Sequence, residues 1–367
     1  MSDSEVKYYH HGRFAVAGGT LPDAVTAYKT YGDPKNPCIA YGVCFGGRID
    51  DKGPFGQDWL IGEGLPLDPS KYFIVTFALF GNGQSSSPSN TPAPHNGPYF
   101  PRVTYEDNIR AQYNVITKGL NISRIFCVIG FSMGGQQAYY WATMYPDFVE
   151  RMVCICGAAR TSVHSKCLVE SMKYAMKSGK DFQDGYYTSR PRIAISAAIR
   201  ILYSWCYSFE VGPFNTRLSD CLANTLCRLK FWNDGLYLGG RMYKDLDDWL
   251  LDQCDGPWGH WDANDILTLA NTWQAGDISK ITSFGPSLQG DITAALTGIK
   301  ATALLLPAKG DFLFPPEDNE KELQSLKNTD ARIAVIPSTW GHGACVGVNP
   351  ADTEFIIKQL EAFFAST

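Results

Sequence analysis

Residues 124–144 of the chain, RIFCVIGFSMGGQQAYYWATM, decide the fold. The apolar run Arg124–Ile129 predicts a buried strand, and the stretch Gln136–Met144, which stops two residues before a proline, predicts a helix. Between them lies the G-x-S-x-G motif of residues 130–134. On such a turn the glycines let strand and helix pass closely, and the serine stands above the sheet edge. The stretch therefore predicts a nucleophile elbow with Ser132 as the nucleophile.

The regions on both sides of the elbow alternate between apolar runs and helical periods. Further strands are predicted at Cys38–Cys44, Tyr72–Leu79, Ala301–Leu306 and Arg332–Ile336, and further helices at Thr104–Leu120 and Asp352–Phe364. Strands and helices in alternation form a mostly parallel sheet with helices on both faces. The fold class predicted from this pattern is therefore α/β.

The alternation is absent from the middle of the chain. Residues 161–296 are rich in Tyr, Trp, Met and Cys and show helical periods but no clear strand. We therefore predict one α/β core, residues 1–160 and 297–367, interrupted by a helical insertion at residues 161–296. An insertion between core strands is well placed to form a lid over an active site.

Composition excludes several classes of protein. The 367 residues include 32 Lys and Arg against 37 Asp and Glu, which gives a formal net charge of −5. With 45% hydrophobic residues the chain is not disordered, and its weak acidity argues against nucleic acids and anionic membranes as partners. No apolar run reaches the ~18 residues of a membrane span, and the N-terminus lacks the apolar segment of a secretion signal. We expect a cytoplasmic protein.

The cysteines and histidines do not indicate a metal site. The eleven cysteines form no CxxC pair, and several lie in apolar runs, so we interpret them as buried thiols. The adjacent His10 and His11 would point to opposite sides of an extended segment and make a poor metal pair. We expect no metal and no bound cofactor.

A serine nucleophile needs a base, and the base needs a group that orients it. In folds with this elbow the chain order is Ser, then Asp or Glu, then His. Of the six histidines, only His342 follows the insertion, in a loop after the last core strand, and Asp311 follows the strand before it. Glu317, Asp318 and Asp330, which lie in the same region, are disfavoured as the acid because none of them closes a strand directly. Because ligands bind at the C-terminal ends of strands in such sheets, we predict His342 as the base and Asp311 as its orienting acid.

The oxyanion of an acyl-transfer reaction needs two backbone N–H donors. One is predicted to come from Met133, the residue after the serine. The other is predicted to come from Phe45, in the Gly-rich turn of residues 41–47 (YGVCFGG) that ends an early strand. Cys44, its neighbour, is expected to lie close to the site.

Beyond the elbow, the chain resembles the homoserine O-acetyltransferase-like branch of the α/β-hydrolases. The matching segments are spread over nearly the whole chain: Thr30-Tyr31-Gly32, Tyr72-Phe73-Ile74-Val75, Gly83-Gln84-Ser85-Ser86, Phe100-Pro101-Arg102-Val103-Thr104, Ile109-Arg110-Ala111-Gln112, Ser132-Met133-Gly134-Gly135, Ala158-Ala159-Arg160, Asp262-Ala263-Asn264 and Phe314-Pro315. The resemblance implies Ser132 as nucleophile, His342 as base and Asp311 as its partner. It also implies an α/β-hydrolase fold with a large helical lid that often forms a homodimer interface.

Two departures from this family concern the substrate. Members that acylate homoserine carry an Asp directly after the catalytic His and an Arg in the lid, whereas this chain has Gly343 and, aligned by eye, Ala197. Arg192 and Arg200 lie close enough that a shift in register brings either to the lid position. An amino-acid zwitterion left unpaired in a buried site costs several kcal/mol. We therefore predict that homoserine is not the substrate.

The function predicted from the sequence is acyl transfer through an acyl-enzyme on Ser132. Hydrolysis of a small, largely uncharged ester or thioester, such as a specialised metabolite, is favoured. One alternative is an O-acyltransferase that moves an acyl group from acyl-CoA, as co-substrate, to an alcohol other than homoserine. Two others are a lyase or cyclase that uses His342 without an acyl-enzyme, and a binding protein on the same scaffold.

Overall fold

The computed structural model describes residues 5–52, 56–207, 236–238, 241–284, 288–326 and 330–366. The predicted lid includes residues 208–235, which lie outside the described residues, as do Cys221 and Cys227 within them.

One eight-stranded sheet organises the chain. In chain order the described strands are β1 Lys7–Val16, β2 Gly19–Tyr31, β3 Cys38–Gly42, β4 Phe73–Phe77, β5 Ile125–Phe131, β6 Val149–Ile155, β7 Leu236–Leu238, β8 Arg241–Tyr243, β9 Thr302–Leu306 and β10 Arg332–Ile333. β7 and β8 form a separate two-stranded hairpin, and the other eight strands form the sheet. The sheet order is β1-β2-β4-β3-β5-β6-β9-β10. β2 pairs antiparallel with β1 and β4, and the other neighbours pair in parallel. The mostly parallel sheet predicted from the alternation is confirmed.

Helices lie between and beyond these strands. Within the described residues, the α-helices of four or more residues are α1 Tyr105–Asn114, α2 Met133–Met144, α3 Val163–Lys177, α4 Arg192–Cys206, α5 Leu246–Leu250, α6 Ala263–Gln274, α7 Ile292–Thr297, α8 Pro316–Leu323 and α9 Pro350–Ala365. Turns of 3₁₀ or π geometry span Gly97–Tyr99, Val115–Gly119, Gln183–Gly185, Leu251–Asp255, Ile278–Lys280, Thr282–Phe284 and Gly341–Val346, and a three-residue α-helical turn spans Gly256–Trp258.

The central strands bring their following loops to one edge. β3 and β4 are buried over their whole length because helices cover both faces of the sheet. Gly42 at the end of β3 pairs with Gly130 of β5, and Ile155 at the end of β6 pairs with Leu306 at the end of β9. The loops after these four strands therefore open at the same edge.

Three features differ from the prediction. The N-terminal hairpin β1–β2 was not predicted, because six of the 10 positions of β1 are exposed and polar residues interrupt the apolar positions of both strands. β10 spans only Arg332–Ile333, although Ile336 still forms a parallel bridge with Ala308. The hairpin β7–β8 corrects the prediction that the insertion has no clear strand. Strands of three residues are too short to show a two-residue period.

The segment between β6 and β9 contacts the core beside the elbow helix. The Nε2 group of Gln136 on α2 donates a hydrogen bond to the Thr161 hydroxyl at 3.0 Å, and the Asp277 N–H donates to the Tyr140 hydroxyl on α2 at 2.9 Å. The insertion is therefore tied directly to α2. The bounds of the core and lid stay a prediction.

Candidate active site

Ser132 occupies the sharp turn from β5 to α2. Its φ of 57° and ψ of −123° lie in a region that residues with a Cβ rarely adopt. The turn needs its glycines: a Cβ on Gly134 would lie 2.3 Å from the carbonyl oxygen of Gly42, and one on Gly130 would lie 2.5 Å from the carbonyl carbon of Gly134. The close passage of β3, β5 and α2 therefore holds the strained serine in place.

His342 and Asp311 complete a hydrogen-bonded chain with Ser132. The Nε2 atom of His342 lies 2.9 Å from the Ser132 hydroxyl, and Nδ1 lies 2.8 Å from Oδ2 of Asp311. Because a carboxylate only accepts, Nδ1–H donates to Asp311 and Nε2 accepts from the serine hydroxyl. The structure thus brings together three residues that are far apart in sequence.

Asp311 is held in one orientation by its surroundings. Its side chain is fully buried, and Oδ1 accepts hydrogen bonds from the N–H groups of Leu313 at 2.8 Å and Phe314 at 3.0 Å. The other oxygen, Oδ2, is thereby left for His342. Glu317 and Asp318, the neighbouring acids in the sequence, lie in the first turn of α8 instead.

The turn that contains Phe45 lies between the core and the insertion. The Phe45 ring centroid is 5.7 Å from those of both Trp258 and Trp273. A Cβ on Gly46 would lie 2.7 Å from the Trp258 ring. Phe45 lines the same cavity as Ser132, and Met133 begins α2, whose first N–H groups have no partner within the helix. The predicted roles of Phe45 and Met133 as oxyanion donors stay predictions.

A narrow cavity opens onto Ser132 and His342. Its volume is about 70 Å³. Its wall includes Phe131 from the core and, from the insertion, Leu202, Tyr203 and Trp258. Among the described residues, no Asp, Glu, Lys or Arg lines it. The site therefore presents a small, uncharged space beside the serine.

Sequence reasoning missed most of this wall. Leu202, Tyr203 and Tyr207 carried no signal beyond helical period and aromatic content. Trp258 lines the cavity, whereas the neighbouring Trp261 does not. Proximity between the insertion and the elbow depends on tertiary packing, which a single sequence does not show.

The positions that depart from the homoserine-binding pattern carry no charge into the cavity. A Cβ on Gly343 would lie 3.2 Å from the ring of Tyr207, so the space beside it is already filled. Arg200 pairs with Asp255 at 2.8 Å, and Arg192 is exposed at the start of α4. Neither arginine lines the cavity that holds Ser132.

Two thiols line the cavity and are not activated. Burial raises the pKa of the Cys44 thiol to about 12, and burial also raises the pKa of Cys206. Both therefore stay protonated near neutral pH and are poor nucleophiles. The expectation that Cys44 lies close to the site is confirmed.

The described cysteines are all free. Within the described ranges, no cluster of His, Cys, Asp and Glu could hold a metal ion.

Residues 57–346 match the family model of the alpha/beta hydrolase fold, and the chain belongs to this family. It is 33% identical to an ethyl acetate hydrolase of Pseudomonas veronii over 83% of this chain and 78% of that protein. It is 28% identical to a homoserine O-acetyltransferase of Pasteurella multocida over 100% and 99% of the two chains. The solved structure of an acetyl esterase superposes with a TM-score of 0.84 at 27% identity, covering 99% of this chain and 97% of that one.

These comparisons confirm the predicted fold and the resemblance to the homoserine O-acetyltransferase-like branch. The relatives named above are esterases and an O-acetyltransferase, so the class is one of enzymes.

Across the helices of the described ranges, none is long and apolar enough to cross a membrane.

Proposed function

We propose that the protein hydrolyses small, uncharged esters or thioesters through an acyl-enzyme on Ser132. Ser132 attacks the carbonyl carbon while Nε2 of His342 takes the hydroxyl proton, and Asp311 stabilises the imidazolium. The N–H groups of Met133 and Phe45 stabilise the oxyanion. His342 then donates the proton to the leaving alcohol or thiol. It next activates a water that releases the acyl group, and the reaction needs neither a metal nor a bound cofactor.

The observation that carries this proposal is the hydrogen-bonded chain Asp311–His342–Ser132 opening into an uncharged cavity. A binding protein has no need of a buried acid and base aligned on a strained serine. The thiols in the wall are protonated, so the serine is the activated nucleophile among the described residues of the cavity. The esterase relatives support the same reaction, and the small cavity favours a short acyl group such as acetyl.

Intact-mass analysis of the protein mixed rapidly with p-nitrophenyl acetate tests the mechanism. We expect an added acetyl group on Ser132 during turnover, and we expect faster hydrolysis of acetyl than of hexanoyl esters because the cavity is narrow. Fluorophosphonate labelling of Ser132 should abolish activity in proportion to the fraction labelled. Full hydrolysis after complete labelling would contradict an acyl-enzyme on Ser132.

An O-acyltransferase that uses acyl-CoA is the second candidate. A homoserine O-acetyltransferase is among the relatives that match over nearly the full length of both chains, which supports this candidate. Both candidates share the acyl-enzyme and differ in whether water or an alcohol resolves it. Adding short uncharged alcohols to the acetylated protein separates them: a transferase forms a new ester, whereas a hydrolase forms acetate at an unchanged rate.

Homoserine should fail as an acceptor. The ammonium and carboxylate of homoserine would meet no opposite charge among the described residues of the cavity, and Tyr207 fills the space beside Gly343. Burying such charges unpaired costs several kcal/mol. We expect CoA release from acetyl-CoA, followed with a thiol reagent, to stay at its homoserine-free rate. A rate that rises with homoserine concentration and saturates would contradict the prediction.

A further inference from the structure

The buried carboxylate of Glu322 lies outside the hydrogen-bonded chain Asp311–His342–Ser132. Glu322, on α8, accepts three hydrogen bonds: from the Ala159 N–H at 2.7 Å on Oε1, and from the Tyr139 hydroxyl at 2.6 Å and Asn319 Nδ2 at 2.7 Å on Oε2. Glu322 is buried. Its partners belong to α2, to the loop after β6 and to α8 itself, so one carboxylate joins three elements.

These elements carry the residues of the site. α2 begins directly after Ser132, and α8 follows the loop that holds Asp311. Asn319 also donates to the carbonyl of Gly157 at 2.9 Å. Gly157 packs against the elbow, since a Cβ on it would lie 2.9 Å from the carbonyl oxygen of Ser132. Glu322 therefore connects the segment after the acid to the segment around the nucleophile.

We propose that Glu322 is a positioning residue that holds α8 and the Asp311 loop in register with the elbow at Ser132. The inference rests on the proposed acyl-transfer function. The distances of 2.8 Å and 2.9 Å in the chain Asp311–His342–Ser132 depend on how these segments are placed. A displacement of about 1 Å at a catalytic group can cost about 100-fold in rate.

The position of Glu322 requires a carboxylate, because each of the three hydrogen-bond partners of Glu322 is a donor. Burial raises the pKa of Glu322 to about 7, against the opposing effect of the three donors. A glutamine has the same shape but carries an NH₂ group, which must face either the Ala159 N–H or the Asn319 NH₂. One donor then loses its acceptor whichever way the amide is turned. The network cannot be kept intact by an uncharged residue of this shape.

Glu322→Gln tests the role of the carboxylate, assayed at about pH 8.5, where the wild-type group is ionised. We expect kcat for p-nitrophenyl acetate to fall about tenfold or more and KM to change by less than about twofold, because the cavity wall is untouched. The rate of fluorophosphonate labelling of Ser132 should fall with kcat. Leu21→Ala, in the separate hydrophobic cluster of the N-terminal hairpin, is the control for lost stability.

Tyr139→Phe is a second variant that breaks only the link to α2 and leaves Glu322 two donors. We expect it to lower kcat severalfold with KM unchanged. Loss of kcat in both variants, with kcat retained in Leu21→Ala at an equal drop in melting temperature, supports the inference. Wild-type kcat in folded Glu322→Gln or Tyr139→Phe, or a loss that only matches Leu21→Ala, overturns it. Failure of the proposed function is separate and would show as activity in Ser132→Ala.

Discussion

Replacing Ser132 by alanine should lower kcat for acetyl ester hydrolysis by about 10⁵-fold or more, because the acyl-enzyme cannot form. The remaining activity would come from substrate binding and oxyanion donors alone. The fold should tolerate the change. The Ser132 side chain does not cap α2, and alanine has the same Cβ in the strained turn.

The measurement is steady-state hydrolysis of p-nitrophenyl acetate together with intact mass. We expect no added acetyl group on the variant, and a melting temperature within a few degrees of that of the wild type. A Ser132→Ala protein that keeps more than about one per cent of kcat would show that another group does the chemistry.

Replacing Asp311 by asparagine should reduce kcat by about 10³- to 10⁴-fold, and the structure supplies the reason. The N–H groups of Leu313 and Phe314 both donate to Oδ1, so the amide oxygen must take that place. The NH₂ group then faces Nδ1 of His342. Nδ1 has to accept, the proton moves to Nε2, and the imidazole can no longer take a proton from Ser132.

Parallel kcat and fluorophosphonate labelling measurements check this expectation, since both should fall together while KM changes little. Asp330→Asn is the matched control, because Asp330 is exposed and pairs with Arg332 at 3.1 Å. That control should stay within about twofold of the wild type. An Asp311→Asn enzyme within tenfold of wild-type kcat would contradict the assigned role of the acid.

The sequence alone determined the class of fold and the three residues that the structure finds hydrogen-bonded. The reason is local. A G-x-S-x-G motif between a strand and a helix adopts one geometry, and parallel strands end at a common edge, so residues that follow them meet there. Ser132, Asp311 and His342 each follow a recognisable strand, and their chain order needed no knowledge of packing. The hairpin β1–β2 was missed because its half-exposed pattern is weak.

Only the tertiary structure decided what surrounds the serine. Leu202, Tyr203 and Trp258 reach the cavity from an insertion whose helical period shows which faces are apolar but not which core loop they cover. The packing of Tyr207 against Gly343, and the joining of α2, the β6 loop and α8 by Glu322, likewise depend on contacts between segments far apart in the chain. Such contacts arise from side-chain packing in three dimensions, which leaves no period or motif in the sequence.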